Sequence, residues 1–149
     1  MKAVVQRVRN ATLKVDGNLI SQIDGGLVVY FGVGKGDDET KADYLASKIS
    51  KLRVFNDENG KMNKSVLDVK GEILSVSQFT LYGDTSHGNR PSYIDAEEPE
   101  KASKLYDYFS LKLQENGVVV KKGIFGADMK ISLLNDGPFT IILDSDEIC

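Results

Sequence analysis

The chain has 149 residues, the size of one domain able to bury a single sizeable core, and no apolar run approaches the ~20 residues a membrane-spanning helix requires. A net charge of −3 argues against a surface that grips nucleic acid throughout, although it leaves room for a local basic patch. The single histidine, His87, and the single cysteine, Cys149, exclude an intrachain disulfide, argue against a His/Cys zinc site, and oblige any Ser-His-Asp or Cys-His hydrolase to run through His87.

The N-terminus turns polar too soon for a secretory signal, which with the cysteine count suits a cytoplasmic protein. Lys2 to Arg9 is a candidate strand, and Ala11, Leu13 and Val15 then alternate with Thr12 and Lys14. Asp16-Gly17 signals a turn into Leu19–Ile23. After Asp24-Gly25-Gly26, the continuous apolar run Leu27–Phe31 reads as a central strand. Ala42, Leu45, Ala46, Ile49 and Leu52 fall at helical spacing, with Asp37 or Asp38 as the cap. Val54-Phe55 reads as a short strand ending in the polar turn Asn56–Gly60, and Val66–Lys70 supports no single assignment.

Glu72 to Leu81 is expected to be one strand, with Ile73, Ser75, Ser77 and Phe79 on one face. Buried hydroxyls need partners, so that face is expected to line a wet or ligand-filled cleft. Gly83–Tyr93 forms a long loop, and the spacing predicts a second helix from Pro99 to Asn116, opened by the proline and closed by Gly117. Val118–Val120 and Ala127–Leu134 are the next strands, and Ile141–Leu143 the last. Asp144, Asp146 and Glu147 read as a solvated acidic end, with Cys149 an inert tail residue.

Asn135-Asp136-Gly137-Pro138-Phe139-Thr140 lies between the last two apolar runs. Asp-Gly in that position reads as a hairpin turn, yet Pro138 donates no N–H to a ladder, and a Gly-Pro bond is one of the few at which a cis peptide is cheap. The tally is many strands and two helices in one domain, residues 1–149. The expected class is α+β, a mostly antiparallel barrel-like sheet with two flanking helices.

Ser77-Gln78-Phe79-Thr80-Leu81 and Asn135–Thr140 resemble the two signature motifs of the D-aminoacyl-tRNA deacylases. Five further segments match in the same order: Val5–Val8, Gly60–Asn63, Gly88–Ser92, Leu105–Phe109 and Phe125–Met129. The likeness runs over nearly the whole chain. Phe139, where valine is common in the family, and Tyr82-Gly83 after Leu81 depart from the pattern without removing a motif residue.

The resemblance implies a homodimeric editing hydrolase that uses neither metal nor cofactor. It would cleave the ester joining a D-amino acid to the 3′-terminal adenosine of tRNA. It further implies that Ser77, Gln78, Phe79 and Thr80 line the pocket with backbone N–H groups near the scissile ester, and that Met129 lies close by. Gly137-Pro138 would enter the partner's site as a cis peptide whose carbonyls occupy the space an L side chain needs, so that glycyl-tRNA is cleaved along with D-aminoacyl-tRNA. Arg7 reads either as the residue that holds that loop by hydrogen bonds to backbone carbonyls or as a solvated arginine at a strand end.

Two readings of Thr80 stand side by side. It is a strand threonine, or it positions water in a reaction assisted by the 2′-hydroxyl; as a nucleophile it would need a base that the motif lacks. Arg90 reads equally as a surface arginine or a tRNA phosphate contact. His87 lies outside the resemblance and is expected to have no catalytic part. A non-catalytic RNA-binding module, a small-molecule-binding barrel, and a relative with a trans Gly-Pro bond that accepts certain L-aminoacyl-tRNAs are the competing readings.

Overall fold

Strand β1 (Lys2–Val15) is the spine of the fold, and the computed structural model describes it within residues 1–149. One edge of β1 pairs antiparallel first with β3 (Gly26–Gly32) and then, further along, with β2 (Asn18–Ile23). Its other edge pairs along its length with β8 (Met129–Asp144). Beyond β3 the sheet continues with β6 (Glu72–Ser77) and β7 (Val119–Lys122), both pairings parallel. The Ser21 hydroxyl of β2 donates to the Lys122 carbonyl of β7, so the two ends of the sheet meet in a nearly closed barrel. The sheet is therefore mixed rather than purely antiparallel. Helix α1 (Glu39–Lys51) is the crossover that makes β3 and β6 parallel, and α2 (Pro99–Glu115) does the same for β6 and β7. A two-stranded ribbon, β4 (Phe55–Asn56) with β5 (Met62–Lys64), lies off the barrel.

Alternation along the strands divides the core in two. Ala3, Val5, Leu27, Val29, Phe31 and Ile73 point outward against α1 and α2, where Phe31 stacks on Phe109 with ring centroids 4.1 Å apart. Val8, Ala11, Leu13, Val28, Leu74 and Val76 fill the barrel interior. In β1 the change of face needs an extra residue. Val8 pairs with Asn135 and Ala11 with Leu133, so β1 spends one residue more than β8, and Ala11 and Leu13 join Val8 inside.

Several expectations change here. The strand from Glu72 stops at Ser77, and Phe79–Tyr82 is a 3₁₀ turn packed on the end of β3. A Cβ on Gly32 would lie 2.9 Å from the Gln78 carbonyl, and one on Gly34 would lie 2.6 Å from the Tyr82 ring, so the turn seats only against glycines. Ser75 lines no wet cleft. It is fully buried, and its hydroxyl pairs with that of Ser110 on α2 at 2.9 Å. Asn135–Thr140 is not a hairpin, because the residues on both sides of it pair with the same strand, β1.

The acidic end is exposed at Asp146 and Glu147, as expected, but it folds into a third helix, α3 (Ser145–Ile148). Asp144 caps it, and Asp146 accepts from Lys41 on α1 at 2.6 Å. Lys41 also reaches Asp37, whose buried carboxylate takes the N-terminal ammonium at 2.7 Å and the Gly34 amide at 2.7 Å. Burial opposes ionisation of Asp37, but those hydrogen bonds outweigh it and hold its carboxyl below the usual range. No helix is long and apolar enough to cross a membrane.

Candidate active site

A cavity of about 590 Å³ opens where the parallel strands end. Val33 follows β3, Ser77 to Phe79 end β6, and Phe125 to Asp128 follow β7. Loops beyond the carboxyl ends of parallel strands are the usual place for a ligand, since each strand delivers its next residues to the same rim. Met129 and Ile131 of β8 and Val76 of β6 supply apolar wall, and Pro99 and Ala102 bring the first turns of α2 to the edge. Glu97 and Asp128 also line it, each engaged by a lysine: Lys101 at 2.9 Å and Lys130 at 3.0 Å. The Lys101 hydrogen bond keeps the Glu97 carboxyl below its ordinary range.

Ser77, Gln78, Phe79 and Met129 all line the cavity, whereas Thr80 stands just outside it. The Thr80 hydroxyl accepts from the Gln78 side-chain amide at 2.6 Å. An amide is no base, so nothing in contact with Thr80 activates it for attack. Phe79 is 55% exposed, and its ring is braced edge-on by Tyr93 with centroids 5.0 Å apart. The first hydrogen bond of the 3₁₀ turn runs from Leu81 N–H to the Gln78 carbonyl. The Phe79 and Thr80 amides precede it, where helical turns leave donors without internal partners.

Arg7, Gly137 and Pro138 form a second group, away from the cavity of their own chain. Between the pairs Gln6–Thr140 and Val8–Asn135, β1 spends only Arg7 while β8 spends Asp136 to Phe139. The surplus residues loop out around the guanidinium. Arg7 donates from Nε to the Asp136 carbonyl at 3.0 Å and from Nη1 to the Val54 carbonyl at 2.6 Å, and it lies over the Phe139 ring at 5.1 Å. Asn135 closes the loop from inside: its side-chain amide donates to the Arg7 and Phe139 carbonyls and accepts the Phe139 N–H. Gly137 has φ +139°, and a Cβ there would meet Arg7 Nη2 at 3.1 Å. The Gly137-Pro138 peptide is cis, and both residues are exposed.

Sequence reasoning gave no role to Asn135, although asparagine ahead of Asp-Gly is the residue type that bonds neighbouring backbone. It also missed Tyr93 and Glu97, which only the chain's return at Gly34–Ala96 brings to the cavity. His87 and Arg90 lie in the exposed loop and do not line the cavity.

A profile of the family described as D-Tyr-tRNA(Tyr) deacylase matches residues 4–144. The chain belongs to that family. It is 56% identical over 149 residues to a D-aminoacyl-tRNA deacylase of Thermosipho melanesiensis, covering 99% of each chain. It is 56% identical over 145 residues to one of Geotalea daltonii, covering 97% of each. Among solved structures, one titled c-Myc DNA Unwinding Element Binding Protein superposes with a TM-score of 0.92 at 43% identity, covering 97% of this chain and 98% of that one. A probable eukaryotic D-amino acid tRNA deacylase gives 0.79 at 16% identity, over 95% and 97% of the two chains, a likeness of fold alone.

Proposed function

We propose that the chain is an editing hydrolase that cleaves the ester of D-aminoacyl-tRNA, releasing the free D-amino acid and tRNA in the cytoplasm. The observation that carries this reading is the position of Ser77–Phe79, the family's motif, on the wall of a cavity large enough for an aminoacyl group. Water adds to the ester carbonyl with help from the 2′-hydroxyl of the terminal adenosine. Amides at Phe79 and Thr80 receive the oxyanion, and each donor of this kind is worth about 2.7–4 kcal/mol in hydrolases. The intermediate then collapses, expelling the 3′-oxygen, which takes up the proton. Thr80 positions the attacking water, and the exposed Phe79 ring offers a stacking face for the adenine.

Chirality is policed by the partner subunit. In the homodimer, Gly137-Pro138 of one protomer enters the other's cavity and leaves no room for an L side chain. Exclusion by backbone suits an enzyme that accepts many side chains, and glycyl-tRNA, with nothing to exclude, is cleaved as well. Support comes from the exposure of Gly137 and Pro138 on a loop pinned by Arg7 and Asn135. Support for self-association comes from β8, which pairs on one edge only and exposes Leu134 and Ile142, the latter by 74%.

Deacylation of a matched D- and L-tyrosyl-tRNA pair tests the reading. Cleavage of the D-form alone is expected, and cleavage of both or neither would sink it. Glycyl-tRNA left intact at high enzyme concentration would count against steric exclusion.

A further inference from the structure

A tRNA is a long polyanion, whereas this chain carries a net charge of −3, so the body of the nucleic acid must find cations concentrated somewhere on the surface. About half of the basic residues are already paired with acids, and among the others three gather in a single hollow. Lys41, Lys64, Lys101, Lys104, Lys112, Lys122 and Lys130 all sit in ion pairs. Lys48, Lys51 and Arg53 do not. All three are exposed and line one concavity of about 440 Å³ at the C-terminal end of α1, together with Tyr44, Ser47 and Leu52.

Lysines in the last turn of a helix complement its dipole, which accounts for Lys48 and Lys51. It does not account for Arg53, which lies beyond the helix end and adds a third like charge to the same hollow. Tyr44 and Ser47 add hydroxyl donors to the same hollow, and the Tyr44 ring is 39% exposed. Unpaired cations, hydroxyls and an aromatic face are the groups that track a ribose-phosphate backbone.

The position is as informative as the composition. Arg53 precedes Val54, whose carbonyl accepts Arg7 Nη1, and Arg7 Nε in turn donates to Asp136 beside Gly137-Pro138. The basic hollow and the Gly-Pro loop therefore share one anchor.

We propose that Lys48, Lys51 and Arg53, with Tyr44 and Ser47, form a docking site for the tRNA phosphate backbone. Resting on the dimeric reading above, the site lies on the subunit that contributes Gly137-Pro138. A tRNA whose 3′ end occupies one subunit's cavity is thus gripped by the other subunit. The grip supplies affinity for the tRNA body, while the cavity handles the ester.

The test compares the wild type with a Lys48→Gln/Lys51→Gln/Arg53→Gln variant. Binding of uncharged tRNA is followed by fluorescence anisotropy over about 50–200 mM salt. The slope of log affinity against log salt should become shallower by about 0.7–0.9 for each cation lost. KM for D-tyrosyl-tRNA should rise about tenfold or more with kcat unchanged, whereas D-tyrosyl-adenosine, which lacks the tRNA body, should be cleaved as by the wild type. An unchanged slope and KM would overturn the proposal, as would equal losses on the short substrate. So would loss of binding to phosphatidylserine vesicles with tRNA affinity intact. If the wild type cleaved neither substrate, the hydrolase reading would fail on its own, and the salt slope would still decide the docking site.

Discussion

Arg7 and Asp136 meet where β8 runs four residues past one residue of β1, and the Arg7 Nε–Asp136 carbonyl hydrogen bond of 3.0 Å holds the loop so formed. The Arg7 side chain is only 13% exposed, so the carbonyls of Asp136 and Val54 depend on it for partners. Replacing Arg7 with alanine should cost about 2–4 kcal/mol, since charge-assisted bonds are worth about 1.5–3 kcal/mol each and do not add fully. Lysine should recover only part, because its ammonium lacks the planar fork that reaches both carbonyls. Urea denaturation of the two variants measures this. Hydrolysis of L-tyrosyl-tRNA should rise in both if the loop polices chirality.

Thr80 touches Gln78 and no base. Thr80→Val should therefore lower kcat by no more than about tenfold, while a substrate ending in 2′-deoxyadenosine should lose about 10²-fold or more, the usual worth of a general acid–base group. Single-turnover rates on the two substrates check it. A collapse of the valine variant to background would overturn the minor role given to Thr80.

Ser75 and Ser110 satisfy each other in a dry core. Removing one hydroxyl should cost about 1–3 kcal/mol because its partner stays buried and unpaired. The double alanine variant should cost less than the sum of the single ones. A double-mutant cycle by thermal or urea unfolding measures the coupling, and strict additivity would refute it.

Asp37 gathers the N-terminal ammonium, Gly34 N–H and Lys41 around a carboxylate only 3% exposed. Asp37→Asn should destabilise the fold by about 3–5 kcal/mol near neutral pH, as expected when a buried ion pair loses one partner. Because the folded protein lowers the pKa of Asp37, its contribution is complete above the unfolded value, about 3.9, and disappears as pH falls through the lower folded value. The gap between wild type and variant should therefore shrink below about pH 4. Denaturation at stepped pH values reads this directly, and a gap that persisted unchanged into strong acid would contradict it.

Periodicity determined much of this protein. The stripe Ala42, Leu45, Ala46 and Ile49 marked α1, Pro99 and Gly117 bracketed α2, and the run Leu27–Phe31 marked a strand buried on both faces, since these patterns depend on neighbours in the chain. The Ser77–Thr80 and Asn135–Thr140 motifs were also legible, because backbone-shaping residues announce themselves locally.

Tertiary structure decided what depends on residues far apart. Ser75 became dry only because Ser110, 35 residues on, faces it. The strand from Glu72 broke at Ser77 because Gly32 and Gly34 leave room for a turn there. Asn135–Thr140 became an outward loop instead of a hairpin because β1 offers one pairing edge to the residues on both sides and a single Arg7 to bridge them. Pairing partners and hydrogen-bond closure across 128 or 129 residues are properties of the folded chain, and no local pattern in Asn135–Thr140 encodes them.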